Sequence, residues 1–313
     1  MSVTIAIEPY DRHLPLLERG WTTASGVELE FRSVGQLADH LHGRDRHERF
    51  LHEREFDIAE LSLSSYLMYR QDHEDVIALP VFPRRMFSFS NVWVRRESKA
   101  ASWADLKSAV IGVPTYQMSL GVVARHDMAV VEGVDWTTMT WASSHPENVE
   151  LDAPVRRLAA SSLAEALGSG EIDAVLTPEI PADPEFRRRT RRLYGSRSRT
   201  IELGQLRTCG YAPVVHLVAA RTSVLERHPD LGRELVDVFT SSQEIAWDRY
   251  NDPGWGLSFW GALALEEQEQ VMGRSCWTHG LDPNRRALLD FCGAAVAQGI
   301  LRTAPDLDRL FWT

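Results

Sequence analysis

The run Phe56-Asp-Ile-Ala-Glu60-Leu-Ser62-Leu-Ser64-Ser65-Tyr66 carries the densest chemistry in the chain. Its first half, Phe56 to Leu61, is short, apolar and partly β-branched, and reads as a buried strand of a parallel sheet. It empties into a serine-rich helix start. Free N–H groups and the positive end of the helix dipole gather at such a junction, and the hydroxyls add donors. That combination suits a carboxylate or phosphate; the plainer alternative is that Ser62 or Ser64 simply caps the helix. Arg84 and Arg85, in a Pro- and Phe-rich turn, offer a bidentate grip on a carboxylate, against the alternative of two solvated side chains. Gly112-Val-Pro-Thr115-Tyr116-Gln117-Met118 ends another strand and puts three polar side chains at its exit, or else is a turn with a capping threonine. His216 lies within the strand Val214 to Ala220. Facing a cleft it is a usable proton donor; facing inward it is a satisfied core residue. His279, in a loop, has the same two readings.

Other chemistries lack their signatures. The chain has no GxGxxG or Walker sequence, no Gly-x-Ser-x-Gly elbow, no HExxH and no CxxC. No cofactor is expected, and a divalent metal is left open. His40, His42, His47 and His52 are interleaved with Arg and Glu, and read as the solvated face of a polar helix rather than a metal tract. Cys209, Cys276 and Cys292 show no disulfide framework, which fits a reducing compartment. The N-terminus lacks the pattern of a secretory signal, and no apolar stretch is long enough to cross a membrane. A cytoplasmic protein without membrane partners is expected. The net charge of −10 argues against nucleic acid as a partner. The one basic run, Arg187 to Arg192, reads as a solvated loop.

With 313 residues, the chain has room for two domains. Val3 to Glu8, Val27 to Phe31, Ala109 to Val113 and Ile172 to Leu176 read as further strands, alternating with helical segments. The expected fold class is therefore α/β, with mostly parallel sheets flanked by helices. Ser162 to Glu165 and Ser223 to Glu226 have the form of capping boxes. An internal echo stands out. Glu55-Phe-Asp-Ile-Ala-Glu-Leu-Ser62 and Glu171-Ile-Asp-Ala-Val-Leu-Thr-Pro178 share a glutamate, an aspartate, a strand and a small hydroxyl residue. Ligands bind such sheets beyond the carboxyl ends of the strands, where these segments end.

The motifs line up with a known family. The chain resembles 4,5-dihydroxyphthalate decarboxylase and its relatives, which look like type II periplasmic binding proteins. Arg54 to Leu67 is similar to that family's REFD-SEMSLSSYL pattern, Leu79 to Val94 to its PVFP-RMF-S block and Gly112 to Met118 to its GVPEYQM block. The run Ala212 to His216 and the segment Trp277 to Phe291 also have counterparts. The resemblance implies a two-lobed fold with the ligand between the lobes: residues 1–90 plus 210–313 in one, 91–209 in the other. It implies a cofactor-independent carboxy-lyase for a small hydroxylated aromatic or unsaturated acid, with a homo-oligomer allowed. Ser62, Ser64, Ser65, Arg85 and Arg84 would anchor the carboxylate, and Thr115, Tyr116 and Gln117 would orient hydroxyls. His216 would donate the proton, with Glu60 as its partner and His279 in reserve. Two positions depart from the family. Thr115 stands where the family has Glu, and Thr177-Pro178-Glu179 where it usually has Ser-Pro-Arg. A cleft-facing Glu179 would repel a second substrate carboxylate by roughly 4 kcal/mol at about 4 Å and an effective dielectric of 20. Two alternatives remain open: a solute-binding or sensory protein without chemistry, and a lyase resembling chorismate dehydratase.

Overall fold

The computed structural model describes residues 2–35, 46–181 and 183–312; His40 and His42 lie outside them. Twelve strands are described: β1 (Val3–Ile7), β2 (Trp21–Thr22), β3 (Glu28–Ser33), β4 (Ile58–Ser62), β5 (Val76–Arg85), β6 (Val92–Arg95), β7 (Val110–Val113), β8 (Thr140–Ser143), β9 (Val155–Arg157), β10 (Ala174–Leu176), β11 (Thr190–Arg192) and β12 (Val214–Arg221). They form two six-stranded sheets, ordered β2-β3-β1-β4-β12-β5 and β11-β6-β10-β7-β8-β9. The chain divides into two compact units. One comprises Met1–Arg84, His216–Leu288 and Pro305–Thr313; the other comprises Arg85–Val215 and Leu289–Ala304.

The expected division put all of 210–313 in the first unit. Leu289–Ala304 instead belongs to the second, because the second unit's polar interior needs it. Arg125 Nε donates to Gln298 Oε1 at 2.7 Å, and Gln298 Nε2 donates to the Val122 carbonyl at 2.9 Å. Tyr211 O–H also donates to Asp290. The buried Arg125 guanidinium also meets the Tyr116 carbonyl, an aromatic wall and the charge of Glu147.

The first unit's sheet is built on β1, which runs parallel to both β3 and β4, while β12 pairs antiparallel with β4. Helix Leu231–Arg249 covers it. Leu231, Leu235, Val238 and Phe239 recur at helical spacing, pack with Ile5, Ile7 and Val218, and bury a continuous stripe. Each such side chain contributes about 1.5–3 kcal/mol when fully buried. In the second unit β10, β7, β8 and β9 are parallel, and β6 is antiparallel to β10. Its core gathers Trp93, Leu167, Ile172, Val175 and Phe186.

The sequence echo has a physical counterpart. β4 and β10 each lie between one parallel and one antiparallel neighbour. The aspartate before each strand caps the parallel neighbour: Asp57 accepts the Thr4 N–H at 2.9 Å, and Asp173 accepts the Val110 N–H at 2.9 Å. The carboxylate satisfies a backbone donor at the strand's start, so the repeat is one of strand anchoring as well as of loop exits.

Three expectations are corrected. Arg46 and His47 of the histidine-rich segment are fully buried, not solvated, because helix Arg46–Leu51 turns them onto the end of the sheet. The run Arg187 to Arg192 is no loop. It ends helix Pro184–Arg189 and forms edge strand β11, from which Arg191 reaches the Ser98 and Ala100 carbonyls and Arg192 lies over the Trp93 ring. Ser223 caps nothing: helix Thr222–Arg227 starts one residue earlier, after Arg221. The Ser162 box does form, with Ser162 Oγ accepting the Glu165 N–H, although the Glu165 carboxylate returns to Ser161.

Candidate functional site

Parallel strands β1 and β4 end side by side, so the segments that follow them, Glu8 to His13 and Ser62 to Ser65, share one edge of the first unit's sheet. β12 completes the arrangement. Its register sets Val218 opposite Glu60 and His216 opposite Ser62. Glu60 and His216 are thus diagonal neighbours on one face of the sheet, within reach of each other. His216 Nδ1 lies 2.6 Å from Glu60 Oε1.

Glu60 is fully buried and fully engaged. Its carboxylate also accepts the Tyr10 hydroxyl at 3.0 Å and the Glu8 N–H at 3.1 Å. Arg46 Nη2 stands 3.7 Å from Oε1, while Arg46 Nε donates to the Glu60 carbonyl at 2.6 Å. Burial alone would push this carboxyl up; the Arg46 guanidinium and the His216 N–H outweigh it and hold it well below the ordinary range. For His216, burial wins over the pull of Glu60 and pushes the imidazole down to about 3. An ionised carboxylate only accepts, so Nδ1 carries the ring's proton and Nε2 presents a lone pair. Among the described residues Nε2 has no hydrogen-bond partner. At rest the ring is therefore neutral and presents an acceptor at Nε2, and it must take up a proton before it can donate one.

The serines sit beside this pair. Ser62 occupies the residue before helix Leu63–Arg70, but its side chain makes no capping bond. Ser62 Oγ and Ser64 Oγ face each other at 3.1 Å, and the Ser62 N–H donates to His47 Nε2 at 2.8 Å. Ser65 Oγ is buried with no hydrogen-bond partner among the described residues. Arg84 lies 5.7 Å from the Tyr10 ring. Arg12 is sandwiched between the Tyr10 and Trp277 rings, at 4.1 and 3.9 Å.

His279 stands elsewhere in the first unit. Its Nδ1 accepts the Phe82 N–H at 3.0 Å and its Nε2 faces the Gln243 amide at 2.7 Å, so both ring nitrogens tie backbone to helix. In the second unit, Thr115, Tyr116 and Gln117 follow β7 as expected. Two of their backbone donors are already used: the Glu147 carboxylate accepts from Tyr116 N at 2.7 Å and Gln117 N at 2.9 Å. The Tyr116 ring lies beneath the Arg125 guanidinium at 3.9 Å. With its amide oxygen turned to the loop, Gln117 accepts the Val149 N–H at 3.1 Å. Thr177 and Glu179 follow β10, where Thr177 Oγ1 accepts the Glu179 N–H at 3.4 Å. Arg85 belongs to this unit and donates to the Ala212 carbonyl at 3.1 Å.

Sequence reasoning missed Tyr10, Arg46, His47 and Glu147. Tyr10 had a signal, since it follows directly on the carboxyl end of a parallel strand. The others did not: a buried Arg or His on a polar helix has the same neighbours in sequence as a solvated one. Among the described residues no three His, Cys, Asp or Glu side chains are grouped to hold a metal ion, and no helix is long and apolar enough to cross a membrane.

No family model matches the chain. Among solved structures it resembles a sulfonate-binding protein of a putative sulfonate ABC transporter from Methylobacillus flagellatus KT, with a TM-score of 0.59 at 16% identity over 99% of this chain and 91% of that one. It likewise resembles the periplasmic aliphatic sulphonate binding protein of Escherichia coli, with a TM-score of 0.56 at 11% identity over 99% and 97%. These likenesses establish the type II periplasmic-binding-protein-like fold. In sequence it is similar to the 4,5-dihydroxyphthalate decarboxylase of Comamonas testosteroni, at 29% identity over 96% of this chain and 93% of that protein. A second similarity is to the enzyme of the same name from Pseudomonas putida, at 32% identity over 58% of this chain and 72% of that protein. On the strength of that pair of relatives, the chain belongs to the 4,5-dihydroxyphthalate decarboxylase family and is a carboxy-lyase.

Proposed function

We propose that the substrate is a small hydroxylated aromatic or unsaturated carboxylic acid, 4,5-dihydroxyphthalate-like, and that its carboxyl group is lost without a cofactor at the Glu60–His216 pair. The observation that carries this reading is the 2.6 Å contact that leaves His216 neutral with Nε2 unengaged beside three serines. Ser62, Ser64, Ser65 and Arg84 hold the carboxylate there. A bound carboxylate near Nε2 raises the imidazole's affinity for a proton, so His216 takes one from solvent as the substrate binds. Glu60 stabilises the imidazolium. A hydroxyl para or ortho to the carboxylate pushes electrons to the ipso carbon. The carbon–carbon bond breaks, its pair ends in a new C–H bond, His216 supplies the proton, and carbon dioxide leaves.

The test is carbon dioxide release from a panel of hydroxybenzoates, dihydroxyphthalates and amino-substituted analogues. The proposal expects release from at least one acid with a para or ortho hydroxyl. It also expects His216→Ala to lower kcat by about 10²–10⁴-fold, the usual span for general acid–base groups, with binding nearly unchanged. Recovery of every acid intact after long incubation would instead support a binding protein without chemistry.

A further inference from the structure

We propose that Arg46 is a positioning residue for the reaction: it holds Glu60 as a carboxylate, so that His216 keeps its proton on Nδ1 and its lone pair on Nε2. The inference rests on the Glu60–His216 reading above. Several charged or titratable groups surround Glu60. Glu8, Tyr10, Arg12 and His13 come from the exit of β1, and Arg84 from the end of β5. His216 comes from β12, and Arg46 and His47 from the helix across the sheet edge. Among the described residues Arg46 is the one permanent cation within 4.0 Å of the Glu60 carboxylate. Its grip is three-sided. Nε is tied to the Glu60 carbonyl, Nη1 to Glu8 Oε2 at 3.1 Å and to the Val34 carbonyl, and Nη2 is left facing Glu60 Oε1. Among the described residues Nη2 has no hydrogen-bond partner, and it is fully buried, so its action on Glu60 is that of a charge at close range.

Removing that charge reverses the pair. A carboxyl buried without a cation takes up a proton. Protonated Glu60 would donate its O–H to His216 Nδ1, and the imidazole would then carry its own hydrogen on Nε2. A base would become a donor, although neither of its two residues had been changed. This effect on tautomer separates positioning from mere structural support.

The experiment compares the wild type, Arg46→Lys, Arg46→Met and Glu60→Gln by ¹⁵N NMR of the His216 ring and by the pH profile of kcat/KM. The expected result is the Nδ1–H tautomer in the wild type and Arg46→Lys, and the Nε2–H tautomer in Arg46→Met. The acid limb of the Arg46→Met profile should also move up by about one pH unit or more, a tenfold change in proton affinity. An unchanged Nδ1–H tautomer in folded Arg46→Met would overturn the inference. If Arg46→Met does not fold, Arg46→Gln gives the same readout with an amide left to donate to the Glu60 or Val34 carbonyl: the Nε2–H tautomer is expected, and an Nδ1–H tautomer would overturn the inference. The NMR readout needs no substrate, so a wild type inactive on every acid of the panel would defeat the decarboxylation scheme separately.

Discussion

Glu60→Gln isolates the charge of the buried pair while nearly preserving its shape. The amide oxygen can still accept from His216 Nδ1, so the tautomer survives, but the imidazolium that forms during the reaction loses its counter-ion. With Nδ1 and Oε1 at 2.6 Å, the charge centres are some way further apart. At about 4 Å and an effective dielectric of 20, the lost attraction is about 4 kcal/mol, or roughly 10³-fold in rate. Arg46 retains Glu8 as an ionic partner, so the protein should stay folded. Stopped-flow or mass-spectrometric measurement of carbon dioxide release should show kcat falling by about 10²–10³-fold with KM shifted far less. Binding in two buffers of different ionisation enthalpy should show proton uptake with substrate in the wild type and its loss in the variant. A variant within about tenfold of the wild-type kcat would refute the assignment, since a loss that small corresponds to only about 1.4 kcal/mol.

Tyr66→Phe should destabilise the fold without touching the chemistry. Tyr66 O–H donates to the Leu310 carbonyl at 2.6 Å and accepts the Ala78 N–H at 2.9 Å, so its loss orphans two buried groups, at about 1–3 kcal/mol in urea unfolding with m unchanged. Gly112→Ala should cost about 1–3 kcal/mol by overpacking, because a Cβ there would meet Ile172 Cδ1 at 2.4 Å and Leu163 Cδ2 at 3.0 Å; thermal unfolding measures it. Burial pushes the Asp127 carboxyl up to about 7 from 3.8. The folded state then binds a proton more tightly than the unfolded state between those values, so stability falls as pH rises through that window and is lowest above it. Asp127→Asn should therefore have the higher Tm at pH about 8, and that advantage should vanish near pH 4.

The strands that build the site were legible because a buried parallel strand has a plain signature. Phe56 to Leu61 is apolar and short, and Val214 to Ala220 likewise, so Glu60 and His216 could be placed at strand positions before any contact was known. Their meeting was not legible, since it depends on the register of β12 against β4, which chain-distant residues decide. Arg46 and His47 illustrate the harder limit. Periodicity distinguishes apolar from polar, and it cannot distinguish a charge turned to water from one turned to a buried partner. The serines fall between: their location at a helix start was readable, but the absence of a Ser62 cap came from side-chain geometry. Glu147 acts through backbone donors and Arg46 through backbone acceptors, each distant in the chain.

Because Leu289–Ala304 completes the second unit and Pro305–Thr313 the first, neither can mature until those segments have left the ribosome. A nascent chain halted before residue 289 would hold Arg125 without Gln298 and Tyr66 without the Leu310 carbonyl. Both halves are thus finished almost together, and a fragment expressed from residues 85–215 alone should be a poor stand-in for the domain it encodes.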